Sequence, residues 1–109
     1  MVLLKTRSEF TRRVLAAVCR LRSGQIATYG DIAAAAGAPR AWRAVGNIMR
    51  ECAAREVPCH RVIAAGGRLG GYGGNTQVKA ALLRAEGLIV SGGRIKNWRE
   101  RRVPAGKSG

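Results

Sequence analysis

Cys59 and His60 stand side by side in Val57-Pro58-Cys59-His60-Arg61-Val62, behind a proline and inside an arginine-rich chain. A thiolate is a strong nucleophile, and nearby cations lower the pKa of the thiol that forms it. Pro58 narrows the backbone choices just ahead of the nucleophile. Neighbouring residues in a helix or strand turn their side chains apart, so Cys59 and His60 need not touch. A relay satisfies the geometry instead: thiol, water, His60, then a carboxylate that orients the imidazole and offsets its charge. Glu86 suits the last place, because it ends a predicted helix near a glycine-rich loop. Simpler readings stay open for both: His60 as a structural histidine, Glu86 as an ordinary glutamate near a helix end.

The charge says what such a nucleophile would meet. Twenty Lys and Arg against six Asp and Glu leave a formal charge of +14 over 109 residues. That field draws phosphate backbones and speeds encounter with them. Most of it is arginine, which makes forked contacts to phosphates and bases. Ribosomal, chromatin and membrane-surface proteins share the balance, so charge alone names no chemistry. No apolar run approaches the roughly 18 residues of a membrane span, and Met1-Val2-Leu3-Leu4-Lys5 is too short for a secretion signal. The odd set Cys19, Cys52 and Cys59 reads as reduced thiols in a cytosolic protein rather than a disulfide framework. It lacks the paired short spacings of common zinc modules. Cys19 reads as a small core thiol, and Cys52 as buried filler or a surface thiol, with a second acceptor as the alternative.

The elements around the motif form one small domain, residues 1–103, with a disordered tail over 104–109. Phe10, Val14, Val18 and Leu21 share a stripe that predicts a helix over 9–21, capped by Ser8 and ended by Ser23-Gly24. A short helix over 31–36 follows, with Thr28 or Gly30 at its start. The turn Gly37-Ala38-Pro39 separates it from a helix over 40–50. Helix, turn, helix is a DNA-binding pattern that ordinary helical hairpins also show. In the second helix Arg40, Arg43, Asn47 and Arg50 fall on one side, and Ala41, Ala44, Val45 and Ile48 on the other. The basic face is either a nucleic-acid surface or solvated arginines. Trp42, between the faces, is a core edge or a wedge against DNA. Val62-Ile63 extends briefly, Gly66-Gly67 turns, and Gly70-Gly71-Tyr72-Gly73-Gly74 is an adaptable loop. A helix from Asn75 or Thr76 to about Glu86 points Val78, Ala81, Leu82 and Ala85 inward, with Gly87 as its C-cap. Ser91-Gly92-Gly93-Arg94 is a turn, and the end is basic. The fold class is mainly α: a small helix-turn-helix (winged-helix-like) domain with a glycine-rich active-site loop.

The ordered motifs Ile26-Ala27-Thr28-Tyr29-Gly30-Asp31-Ile32-Ala33, Pro39-Arg40-Ala41-Trp42-Arg43-Ala44-Val45-Gly46, Pro58-Cys59-His60-Arg61-Val62-Ile63, Gly71-Tyr72-Gly73-Gly74 and Leu82-Leu83-Arg84-Ala85-Glu86-Gly87 resemble the C-terminal, active-site domain of the O6-alkylguanine-DNA alkyltransferases. The resemblance covers roughly residues 9–90. It implies a helix-turn-helix that enters the minor groove and a damaged guanine turned out of the stack. Arg43 then fills the space the base leaves, and Tyr29 donates a proton as the alkyl group departs. Cys59 accepts the alkyl group, and His60 and Glu86 form the water-linked relay. Tyr72, Gly73 and Gly74 close over the base, and the Cys59 carbonyl addresses the guanine edge. Arg40, Trp42, Asn47, Arg50, Thr28 and Arg61 complete the DNA-contacting set.

The implied reaction is direct reversal of O6-alkylguanine damage, one transfer per molecule, with neither metal nor organic cofactor. The implied partner is double-stranded DNA carrying the lesion, met by a monomer in the cytoplasm at the nucleoid. Three departures accompany the resemblance. Larger relatives carry a further domain ahead of this one, and this chain has the size of the alkyltransferase-like proteins, which bind the lesion without removing the alkyl group. That alternative makes the chain a sensor whose partners are nucleotide excision repair proteins. Those relatives usually carry tryptophan or alanine where this chain has Cys59. Cys52 or Glu51 falls near a place where transferases have an asparagine, and Trp42 replaces a small residue.

Overall fold

Four residues of parallel strand organise the chain. β1 (Ala27–Thr28) pairs with β2 (Val62–Ile63), Ala27 opposite Val62 and Thr28 opposite Ile63. The pair is buried on both faces. Ala27 and Val62 join one apolar cluster, Ile26 and Ile63 the other, as period-two side chains require. A parallel pair needs a long crossover, and here the crossover carries α2 (Tyr29–Ala35) and α3 (Trp42–Glu51). The computed structural model describes residues 2–52, 56–70 and 76–103. Its other elements are α1 (Val2–Cys19), a 3-10 turn over Cys59–Arg61, α4 (Thr76–Ala85), the hairpin β3 (Val90–Ser91) with β4 (Arg94–Ile95), and α5 (Trp98–Arg101). This is the mainly α, helix-turn-helix architecture expected, with the hairpin as a small wing. Gly92 and Gly93 both hold positive φ in its turn, as a two-residue hairpin loop demands.

α1 buries Val14, Ala17, Val18 and Leu21, close to the predicted stripe. It starts at Val2, so Ser8 lies inside the helix rather than capping it, and it stops at Cys19. Cys19 is exposed, not a core thiol.

α2 is set at both ends by local chemistry. The Thr28 hydroxyl accepts the Asp31 N–H at 3.1 Å, and the Asp31 carboxylate accepts the Thr28 N–H at 3.0 Å, a complete capping box. At the far end Gly37 (φ 88) lets Ala38 N–H reach the Ala33 carbonyl while its own N–H reaches Ala34, the paired bonds of a Schellman stop. Pro39 then delays the next helix. α3 begins at Trp42, so Arg40 sits in the turn and not on the helix face. The α3 core stripe is Val45 and Met49; Ala44, expected inside, is exposed.

α4 shows the largest departure. Val78, Ala81, Leu82 and Ala85, expected inside, are exposed, and the buried side chains are Lys79, Ala80 and Leu83. Lys79 has no exposed surface, and its Nζ donates to the Val62 carbonyl at 2.6 Å. One polar anchor sets the helix rotation, and the apolar residues stay outside, as much apolar surface does in any protein. Gly87 (φ 94) ends α4 with a second Schellman stop, in which Leu88 N–H reaches the Leu83 carbonyl.

The C-terminal segment closes the domain. Ile26 N–H donates to the Arg101 carbonyl, and Val103 N–H to that of Ile26. Arg102 forks onto Asp31 at 2.7 and 2.8 Å. Burial works against the Asp31 charge, but the Arg102 and Thr28 hydrogen bonds outweigh it and hold the carboxyl below its usual range. Trp98 packs over Gly67, where a side chain would collide with the indole. Arg101 and Arg102, in the basic end of the domain, therefore hold the fold together; residues 104–109 lie outside the described residues. Among the described residues no helix is long and apolar enough to cross a membrane.

Candidate active site and nucleic-acid interface

Cys59 opens the 3-10 turn, 2 % exposed and packed in the cluster built by α1, α2 and α3. Val62 N–H closes the turn onto the Cys59 carbonyl, the atom expected at a guanine edge. The Cys59 sulfur is bonded to that of Cys52, with Cα atoms 6.7 Å apart. The expectation of reduced thiols is thus corrected for this pair. Cys52 caps the C-terminal end of α3 in extended backbone, and Cys59 begins the 3-10 turn.

His60 and Glu86 meet as expected, Nε2 to Oε2 at 2.8 Å, both largely shielded from solvent. Glu86 follows the last residue of α4, where the helix dipole disfavours an anion. Compensation comes from elsewhere. Arg61 forks onto the same carboxylate through Nε at 2.9 Å and Nη2 at 2.7 Å, and Gly24 N–H donates at 3.4 Å. Burial opposes the charge, yet the hydrogen bonds from Arg61 and His60, the His60 charge and the Gly24 amide together hold the Glu86 pKa at about 2. An ionised carboxylate can only accept, so His60 donates to it through Nε2.

Tyr29 is the first residue of α2, half-buried. Its ring lies against Gly46 of α3 and its hydroxyl against Gly70, where the glycine-rich loop begins. Tyr72, Gly73 and Gly74 lie outside the described residues.

The outward face of α3 carries Arg43, Asn47 and Arg50, all exposed. Arg50 donates to the Asn47 side chain at 3.3 Å. Trp42 is 48 % exposed, no part of the core, and the Arg43 guanidinium lies 5.1 Å from its ring centre. Arg40, exposed in the preceding turn, extends this basic surface.

Residues 9–88 match the family described as "6-O-methylguanine DNA methyltransferase, DNA binding domain". The chain belongs to this methyltransferase DNA-binding-domain family. It is 44% identical over 80 residues to a methylated-DNA–protein-cysteine methyltransferase of Methanosarcina mazei, covering 72% of this chain and 51% of that protein. It is 49% identical over 80 residues to the enzyme of the same name from Mycolicibacterium paratuberculosis, with 72% and 48% covered. The chain thus spans about half the length of these relatives. Among solved structures it resembles S. pombe Atl1 bound to damaged DNA containing O6-carboxymethylguanine, with TM-score 0.77, 33% identity and 88% and 95% of the two chains covered. It also resembles Mycobacterium tuberculosis OGT in complex with DNA, with TM-score 0.65, 47% identity, and 71% and 48% covered.

Two residues expected to contact DNA, Thr28 and Arg61, make hydrogen bonds within the fold. The Thr28 hydroxyl caps α2 and is buried. Arg61 turns inward, to Glu86 and, through Nη1 at 2.9 Å, to the Leu21 carbonyl. Two contributors went unread in the sequence, Gly24 and Lys79. Lys79 has a usable signal: it stands four residues before Leu83 on one helical stripe, and Leu83 is buried.

Lys79 predicts a pH dependence. Burial lowers its pKa from 10.5 to about 7. Between those values the unfolded chain binds the extra proton, so stability rises with pH across that window and is flat in this respect below it. In Lys79→Met this rise should disappear from urea-denaturation profiles taken across the window. A variant with the wild-type slope would remove Lys79 as the cause.

Proposed function

We propose that the reduced protein reverses O6-alkylguanine damage by moving the alkyl group onto Cys59, once per molecule, at the DNA of the nucleoid. The observation that carries the reading is the His60–Glu86 contact, 2.8 Å long in a shielded site and made by the residue that follows Cys59 in the 3-10 turn. His60 Nδ1 takes the thiol proton, directly or through water, and the ionised Glu86 stabilises the imidazolium. The sulfur attacks the carbon attached to guanine O6, an S–C bond forms and the C–O bond breaks. Guanine leaves and is protonated by the Tyr29 hydroxyl, and the proton taken up by His60 returns to Tyr29 through solvent. The product is a thioether, whose thiolate is a poor leaving group, so the transfer does not reverse. Arg43 and its neighbours on α3 supply the contact to duplex DNA, in keeping with a solved relative that is in complex with DNA.

Intact-mass measurement after incubating reduced protein with an O6-methylguanine duplex should show one methyl group per chain, mapped to Cys59, and none for Cys59→Ala. A second reading is lesion binding without transfer, favoured by the fit to nearly the whole length of Atl1. Tight, lesion-selective binding with no mass gain after full reduction would establish that reading and end the first.

A further inference from the structure

The sulfur proposed to accept alkyl groups is held in a bond to a second sulfur that the transfer reaction does not use. We propose that Cys52 is a resolving thiol: it converts Cys59 reversibly between an alkyl acceptor and a protected disulfide, so acceptance depends on thiol–disulfide exchange.

The placement of the pair supports this. Cys52 and Cys59 lie seven residues apart, their Cα atoms 6.7 Å apart, inside the range that disulfides span. Cys52 ends the DNA-facing helix and Cys59 opens the reactive turn, so the bond ties the recognition element to the nucleophile. The two sulfurs differ in access. Cys59 is 2 % exposed, whereas Cys52 is half-buried. An incoming thiolate therefore reaches Cys52 first and expels Cys59 as the free thiolate. Cys19, exposed and unpaired, takes no part.

The chemistry balances with a peroxide as oxidant. The Cys59 thiolate attacks a peroxide oxygen, the O–O bond breaks, and Cys59 becomes a sulfenic acid as hydroxide leaves. The Cys52 thiol then attacks that sulfur, an S–S bond forms, and water leaves. In sum two thiols lose two protons and two electrons, and hydrogen peroxide becomes two waters. A dithiol reverses the change. It forms a mixed disulfide on Cys52, releases Cys59, then closes its own disulfide and frees Cys52. The value to a once-only acceptor is specific. A lone sulfenic acid oxidises onward to sulfinic acid, which dithiols do not restore, whereas a disulfide returns intact.

The reading rests on the proposed transfer reaction, and the test separates the two. Full-length protein in a Cys19→Ser background is treated with hydrogen peroxide, quenched with catalase, and divided into portions with and without dithiothreitol. Non-reducing peptide mapping should find Cys52 joined to Cys59. The oxidised portion should take no methyl from O6-methylguanine DNA, and the dithiol portion should recover it in full. Cys52→Ser and Cys52→Ala, both checked for wild-type melting, should transfer normally before peroxide and stay inactive after dithiol, with Cys59 carrying sulfinic or sulfonic oxygen. Undiminished transfer by oxidised wild type, absence of the linked peptide, or full dithiol recovery of both Cys52 variants would overturn the proposal. If reduced protein never accepts methyl, the transfer reading fails alone. Iodoacetamide labelling of Cys59 through the same cycle then decides the thiol switch.

Discussion

Glu86→Gln should cost both stability and rate. The carboxylate anchors His60, Arg61 and the Gly24 amide at once. Removing one partner of a fully buried ion pair costs roughly 3–5 kcal/mol. Glu86 and Arg61 keep 13% and 17% of their side-chain surface exposed, so about 2–3 kcal/mol is the reasonable figure after allowing for solvent. A domain of this size then loses on the order of 10 °C in Tm. The transfer rate should fall by about 10²–10⁴, the usual worth of positioned acid–base chemistry. The acid limb should change too. The Glu86 pKa is about 2 in the fold and 4.5 without it. Its stabilisation is present above 4.5 and drains away as the pH falls toward 2. Glu86→Gln should lose that slope. Stopped-quench transfer kinetics and acid titrations of both proteins check the two effects. A Gln variant transferring at the wild-type rate would reduce the His60–Glu86 contact to a structural one.

Arg43→Ala should show the opposite pattern, a large loss of function with an unchanged fold. Arg43 is exposed and touches Trp42 by a cation–π contact, worth about 0.5–1 kcal/mol at such a site. Turning a base out of the stack costs a few kcal/mol. Leaving Trp42 is therefore the smaller cost when Arg43 enters a duplex, and the side chain is free to do so. Transfer from an O6-methylguanine duplex should drop on the order of 10²-fold, the kinetic equivalent of that flipping cost. Reaction with free O6-benzylguanine, which needs no flipping, should continue unchanged, as should Tm. Equal losses on duplex and free base would place Arg43 in the pocket or the fold instead. Trp42→Ala gives a companion test, since it frees Arg43 without removing it.

Local chemistry was the legible part. Of the two expected starts for α2, Thr28 is the one used, with Asp31 closing the capping box two residues inside a helix that begins at Tyr29 rather than at 31; Gly37 and Gly87 stop their helices as expected, and Glu86 meets His60 beside the second stop. These depend on neighbours in sequence. What depended on distant partners was misread. The apolar stripe Val78, Ala81, Leu82 and Ala85 looked like a core face, yet one lysine bound to the Val62 carbonyl rotates α4 away from it. Arg61 looked like a phosphate ligand until Glu86 was beside it. Arg102 belongs to the basic end of the domain, and its partner is Asp31, far earlier in the chain. Cys52 gave no sign of its pairing, because the approach of the end of α3 to the 3-10 turn is a property of the folded chain and not of either residue.

The pairing of Ala27 with Val62, and the bridge from Ile26 to Arg102, have a consequence for how the molecule matures. Contacts between segments so far apart wait on loop closure and form slowly. During synthesis the segment bearing Cys59 emerges well before residue 102 can dock beside Ile26. A nascent chain therefore carries its reactive sulfur without a finished enclosure, and the interval before the last strand-like contact is when damage to that sulfur is easiest.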